Sequence, residues 1–142
     1  MEPLVALLVG FGAARVAGLA GIDVLNAWQP ALRVGLAAMF LLTAFAHFYP
    51  KLRADLIGMV PPALPRPGLL VTLTGILELA GAVGVLVPAT KRLAAICLVA
   101  LLIAMFPANV SAARRGVAQG DAIGPRTALQ VVFVAAAALV IP

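Results

Sequence analysis

Glu78 is the residue whose type and position most strongly indicate chemistry. This carboxylate lies near the middle of an apolar run, residues 69–87, where it could pair with a cation, contact a ligand or hold a proton. Small residues share its helical face at spacings of three and four: Thr74, Gly75, Gly81 and Ala82. Because small residues let a neighbouring helix approach closely, we expect Glu78 to point into a bundle of helices.

Two arginines are the expected cationic neighbours of Glu78. At a rise of about 1.5 Å per residue, Glu78 lies roughly 15 Å and Arg33 roughly 21 Å from the same face of a membrane, if their helices are antiparallel neighbours. A long guanidinium side chain can span that difference, and Arg15 approaches from the same half. Two roles stay open for this cluster: a structural ion pair, or a binding or proton-handling pocket.

A second polar group is expected where two apolar runs end at one face. His47 closes the run 30–48 and Asn109 closes the run 93–109, with Lys51 one turn beyond the histidine. A single terminal histidine is more often a capping or interfacial group than a ligand. The candidate ligand-binding or buried polar residues are therefore Glu78, Arg33, His47, Asn109, Arg15 and Thr74.

The sequence contains no self-contained catalytic arrangement. Cys97 is its single cysteine, which excludes an intramolecular disulfide and a CxxC pair. His47 is its single histidine, which excludes a bis-histidine haem. A Gly-rich phosphate loop, a paired-carboxylate site and a Ser/His/Asp arrangement are also missing. Enzymatic activity is therefore disfavoured, and no metal site is predicted.

Five hydrophobic segments must position these residues. They cover about residues 4–20, 30–48, 69–87, 93–109 and 126–141. Each approaches the roughly 20 residues that one crossing of a bilayer requires. Arg15 in the first segment and Gln130 in the short fifth leave a tilted or partly interfacial position open for those two, and five crossings are the favoured prediction. The expected fold is all-α, a transmembrane helical bundle formed by residues 1–142 as one domain.

The longest connection, about residues 50–68, combines a short interfacial helix with a stiff proline-rich stretch, Pro61–Pro67. Basic residues are more numerous on the side of this connection, at Lys51, Arg53, Arg66, Arg114, Arg115 and Arg126, than on the other, at Arg33, Lys91 and Arg92. This bias predicts that the N-terminus and the proline-rich stretch face the cytoplasm. The start Met1-Glu2-Pro3 lacks the basic residues of a secretory signal, so no cleaved signal peptide is predicted.

Composition indicates a lipid environment. Of the 142 residues, 64% are hydrophobic and 11% are charged, and the mean hydropathy is +1.15. Soluble domains are roughly half apolar and about a quarter charged. The net charge of +5 is spread over segment ends, which favours anionic lipid headgroups over nucleic acid as its partner. The predicted location is the cell membrane, as a multi-pass protein.

Four short motifs, in order, resemble the DoxX-like family of small membrane proteins. They are Ala46-His47-Phe48, the run from Met59 to Pro65, the run from Thr74 to Gly81, and Phe106-Pro107-Ala108-Asn109-Val110. The resemblance covers roughly residues 30–141. It implies a four-helix core, to which the first hydrophobic segment is an N-terminal addition.

The resemblance also suggests where to look for function. One branch of that family is associated with a thiosulfate to quinone oxidoreductase as a small membrane subunit, and another with an assembly that handles oxidative and thiol stress. Distant eukaryotic relatives include a chaperone for nicotinic receptors. Carried across, His47, Glu78 and Asn109 occupy the characteristic polar positions of the family. With one cysteine this chain cannot perform thiol–disulfide exchange alone.

Three hypotheses follow. The first is a membrane subunit or binding module of a quinone-linked or oxidative-stress redox system, with a quinone-like lipid as ligand and a membrane or redox protein as partner. The alternative is an assembly factor or scaffold that uses the small-residue faces of the third and fourth segments. The second alternative is a small-molecule or proton-coupled transporter, motivated by the buried carboxylate. Nothing in the sequence excludes a homo-oligomer.

Overall fold

Helices account for all regular secondary structure that the computed structural model describes, in residues 2–117 and 123–142. The α-helices are α1 (Glu2–Leu19), α2 (Trp28–Phe48), α3 (Pro50–Met59), α4 (Pro67–Leu86), α5 (Lys91–Arg115) and α6 (Ile123–Leu139). A short 3-10 helix, Asp23–Leu25, connects α1 to α2. The all-α class and the helical bundle predicted from the sequence are confirmed.

One helix extends well beyond the apolar segment that predicted it. α5 continues from the predicted segment end at residue 109 to Arg115, with Pro107 inside it. A proline removes one backbone hydrogen bond, which a helix packed against its neighbours can tolerate. The helix ends instead at Gly116, whose φ of 63° is the left-handed conformation that glycine adopts without strain.

Prolines set the connection between α2 and α4. Pro50 lies in the first turn of α3, where its missing amide hydrogen is not needed. α4 begins at Pro67, directly after Arg66. We call the end of the bundle where α2 and α5 finish, and where α4 and α6 begin, the proline-rich end.

α2 lies at the centre of the packing. It contacts α1 on one side and α4 on the other, and α5 and α6 continue from α4 until α6 returns to α2. Gly35 permits the close approach of α1, since a methyl group at this position would lie 2.6 Å from the carbonyl oxygen of Leu7. The core formed between these helices includes Leu36, Phe40, Val85, Leu98 and Val140.

Four of the helices, α1, α2, α4 and α5, are long and apolar enough to cross a membrane. α6 is also apolar but shorter. Large hydrophobic side chains cover the outside of the bundle, with Val9 63% exposed, Leu93 65% exposed and Val131 62% exposed. The bundle therefore has an apolar interior and an apolar exterior.

Candidate functional site

His47 occupies the last turn of α2 and is only 3% exposed. Its Nδ1 lies 2.8 Å from the carbonyl oxygen of Val71 and 3.2 Å from the hydroxyl of Thr74, both on α4. A carbonyl oxygen can only accept a hydrogen bond, so Nδ1 carries a proton. Gly75 makes this contact possible, because a methyl group there would lie 2.6 Å from the Cβ atom of His47.

Glu78 faces α2 from the adjacent turn of α4, and it is also 3% exposed. Its Oε2 accepts a hydrogen bond of 2.7 Å from the Thr43 hydroxyl. Its Oε1 lies 3.6 Å from Nε2 of His47. Thr43 and His47 are four residues apart and so share one face of α2. The buried carboxylate is therefore held by two polar side chains of the same helix.

The geometry fixes how many protons this pair holds when it is uncharged overall. Since Nδ1 of His47 donates to Val71, Nε2 is protonated only if the imidazole is positively charged. One further proton, on either Nε2 or Glu78, makes the pair neutral as a whole. Removing it would leave a buried negative charge, which is costly in an apolar interior. The neutral form of the pair therefore holds one proton beyond the one on Nδ1.

Arg33 is not the partner of Glu78, which corrects the ion pair expected from the sequence. Its Nη2 donates 3.3 Å to the carbonyl of Val140 at the end of α6, and its Nε has no partner within the described residues. Arg15 donates to the backbone carbonyl of Asn26 and does not reach Glu78 either. Both arginines satisfy carbonyls at the end of the bundle opposite the proline-rich end.

Arg33 and Glu78 do not pair because α2 and α4 are shifted relative to each other along the axis of the bundle. The depths expected for Glu78 and Arg33 hold only if α2 and α4 meet the membrane surface at the same level. Val71, in the second turn of α4, already lies beside His47, so the first turn of α4 projects beyond the end of α2. Glu78 is consequently level with Thr43, only five residues before the end of α2.

A cavity of about 480 Å³ opens beside the His47–Glu78 pair. Its polar lining consists of Glu2, Thr43, His47, Glu78, Asn109, Arg126 and Gln130. Apolar side chains supply most of the remaining wall, among them Met39, Phe40, Leu102, Met105 and Phe133. A few hydrogen-bonding groups within an apolar wall are typical of a small-molecule site.

Asn109 also lines this cavity. The sequence predicted that Asn109 and His47 lie at the same end of the bundle, and the structure places them there. Oδ1 of Asn109 accepts a hydrogen bond of 3.4 Å from Arg126 of α6. Gln130, one turn further along α6, donates 2.6 Å to the carbonyl of Leu102. The cavity therefore joins the two predicted polar groups, around Glu78 and around His47 and Asn109, into one site.

A family model described as a domain of unknown function, DUF8561, matches residues 36–141. The chain belongs to the DUF8561 family. No curated protein and no solved structure matches it.

The DUF8561 match includes the main polar residues of the site: Thr43, His47, Glu78, Asn109, Arg126 and Gln130. α1 and Arg33 lie outside the matched residues. The site thus belongs to the part of the chain that defines the family. Within the described residues, no group of three histidine, cysteine or acidic side chains could hold a metal ion.

The sequence interpretation missed Thr43 and Arg126 as members of the site. The spacing of four between Thr43 and His47 could have indicated the first, because it places a hydroxyl on the histidine face of α2. Arg126 was assigned only to the charge of a loop. Its contact with Asn109 depends on how α5 and α6 pair, which periodicity does not reveal.

Arg53 of α3 holds the site at its proline-rich end, a role that the sequence assigned to no residue. Its guanidinium donates hydrogen bonds of 2.9 Å to the carbonyl oxygen of His47, to the carbonyl oxygen of Gly68 and to the hydroxyl of Thr72. It therefore ties the end of α2, where the carbonyl of His47 lies among those that lack a helical partner, to the start of α4.

Replacing Arg53 by lysine is expected to lower the free energy of unfolding by about 1–3 kcal/mol, because one ammonium cannot reproduce the planar fork of donors. The measurement is a denaturation curve in detergent micelles. Arg92→Lys is the matched control, since Arg92 is exposed at the opposite end, and it should change stability by no more than about 0.5 kcal/mol. Equal stability of the two variants would contradict the role of Arg53.

Proposed function

We propose that this chain is an integral protein of the cell membrane that binds a quinone-like amphiphile in its cavity, as the membrane subunit or binding module of a redox system. The observation that carries the proposal is the cavity of about 480 Å³, apolar over most of its wall, with Glu78 and His47 at its side. An amphiphile with an apolar body and a small polar headgroup matches both features.

The outer surface supports the membrane location. A water-soluble monomer rarely exposes a continuous apolar surface, whereas the outside of this bundle is covered with leucine, isoleucine and valine. In a bilayer, α1, α2, α4 and α5 would cross with α6 beside them. The orientation that we propose places the proline-rich end, with most of the basic residues, in the cytoplasm.

The position of the cavity supports binding over passage through the membrane. Its lining comes from the second half of α2, from α3, from the start of α1, from the middle and second half of α5, from the first half and middle of α6, and from Glu78 near the middle of α4. It thus occupies the half of the bundle nearer the proline-rich end. This position supports a binding site reached from the proline-rich half of the bundle over a path through the membrane.

The scaffold alternative loses one of the two surfaces assigned to it, the small-residue face of the third segment. The small-residue face of α4 packs inside the protein, with Gly75 against His47 and Gly81 against Leu98. These glycines are therefore not available to the transmembrane segment of a client protein. The DoxX-like relationship and the redox partner belong to the proposal as well, and the resemblance in the four motifs supports them.

Native mass spectrometry of the full chain released from membranes tests the proposal. We expect a bound amphiphile in the wild type and at least a tenfold lower occupancy in Ala46→Phe, since Ala46 lines the cavity and a phenyl ring would fill it. Ala100→Phe is the matched control on the exposed side of α5. An identical bound species in both variants, or a wild type that retains no amphiphile and takes up no added quinone, would overturn the proposal.

A further inference from the structure

We infer that the ligand of the cavity carries a hydroxyl group of phenol type, which donates a hydrogen bond to Glu78. This inference rests on the proposed binding function and specifies the headgroup. It follows from which hydrogen-bond donors and acceptors around Glu78 are not already engaged within the protein.

The donors near Glu78 are already engaged. Nδ1 of His47 donates to Val71, and Nε2 lies 3.6 Å from Oε1 of Glu78, within the range of an ion pair. The Thr43 hydroxyl has a single hydrogen, which it gives to Oε2 of Glu78. A ligand that only accepts hydrogen bonds, such as a ketone or a quinone carbonyl, therefore meets no free donor beside Glu78.

Acceptor capacity remains on the carboxylate. A carboxylate oxygen can accept two hydrogen bonds, and Oε2 of Glu78 accepts one, from Thr43. The imidazole of His47 approaches Oε1, so Oε2 is the oxygen that accepts from Thr43 and keeps a free acceptor position. A hydroxyl donor is the group that this free position can bind.

Charge favours an uncharged ligand over a cationic one. The charged side chains that line the cavity are Glu2 of α1 and Arg126 of α6, and these have opposite signs. His47 on α2 and Glu78 on α4 add no net charge when the imidazole is protonated and the carboxylate is ionised, as in an ion pair. α3 brings only Arg53 near the pair, at the carbonyl of His47, and Asn109 of α5 is uncharged. A neutral amphiphile with a hydroxyl headgroup satisfies both the hydrogen-bonding and the charge requirements.

The test compares three probes that share one isoprenoid tail: a hydroquinone, the corresponding quinone and the dimethyl ether of the hydroquinone. Binding to the full chain in detergent is measured by titration calorimetry under anaerobic conditions. The hydroquinone should bind about tenfold or more tightly than the quinone, because its hydroxyl can donate to Oε2 of Glu78 whereas a quinone carbonyl meets no free donor there. The dimethyl ether, which lacks a donor, should bind no better than the quinone.

Two variants connect the preference to Glu78. The preference for the hydroquinone should disappear in Glu78→Leu and persist in Asp55→Asn, since Asp55 is exposed on α3 and does not line the cavity. Similar affinity of the wild type for all three probes would overturn the inference and leave the proposed function intact. Binding of none of them would overturn the proposed function itself. The wild-type comparison needs no variant, so it stands even if Glu78→Leu fails to fold.

Discussion

Gly75→Ala is expected to lower the free energy of unfolding by about 1–3 kcal/mol, although alanine is the better helix former. The added methyl group would lie 2.6 Å from Cβ and 3.0 Å from Cγ of His47, and 3.0 Å from the ring of Phe48. Cβ of His47 moves only if the backbone of α2 moves. The substitution must therefore separate α2 from α4 at the site, which a denaturation curve in micelles will report.

Gly12→Ala is the matched control for this prediction. A methyl group at Gly12 would have no neighbour within 4 Å, so the change keeps only the gain in helix propensity, up to about 1 kcal/mol. The two substitutions should therefore shift stability in opposite directions. If Gly75→Ala also stabilised the protein, the close packing of His47 on α4 would be wrong.

The importance of the Gly75 position could be predicted from the sequence. Glycine, threonine and alanine recur around Glu78 at helical spacing, and this pattern predicts a face of α4 that a neighbouring helix approaches closely. The structure confirms that approach and identifies α2 as the neighbour, with His47 directly over Gly75. Continuous apolar runs of about the length of one bilayer crossing likewise predicted the long apolar helices.

The partner of Glu78 could not be predicted in the same way. Which residues of α2 and α4 face each other depends on how far the two helices are shifted along the axis of the bundle. The connection through α3 sets this shift. Arg53 of α3 fixes it by bonding the carbonyls of both His47 and Gly68. These contacts are tertiary, so no spacing within one segment reports them. A shift of about one turn was enough to replace Arg33 by Thr43 and His47 as the neighbours of Glu78.

The second large effect is expected when one member of the His47–Glu78 pair is removed. Either Glu78→Leu or His47→Leu should destabilise the protein by about 3–5 kcal/mol, because the remaining polar group stays buried without its partner. The double variant should be less destabilised than the sum of the single variants, with a coupling of about 1–3 kcal/mol. Thr43 moderates the loss in Glu78→Leu, since the carbonyl of Phe40 lies 3.2 Å from its hydroxyl and can accept in place of Glu78.

A second cycle distinguishes the observed pair from the one that the sequence suggested. Arg33→Gln combined with Glu78→Leu should be additive within about 0.5 kcal/mol, because Arg33 and Glu78 share no partner. Strong coupling between Arg33 and Glu78, together with additivity between His47 and Glu78, would contradict the site described above.

The double variant of His47 and Glu78 also separates architecture from ligand binding. Two leucines can fill a buried space that an ion pair occupied at little cost in stability, so this variant should fold. It lacks the Glu78 carboxylate, however, and should bind the hydroquinone no more tightly than the quinone. Restored stability together with a lost preference for the hydroquinone would show that the Glu78 carboxylate is needed for the ligand rather than for the fold. If the folded double variant kept that preference, the hydroxyl group of the ligand would contact another side chain.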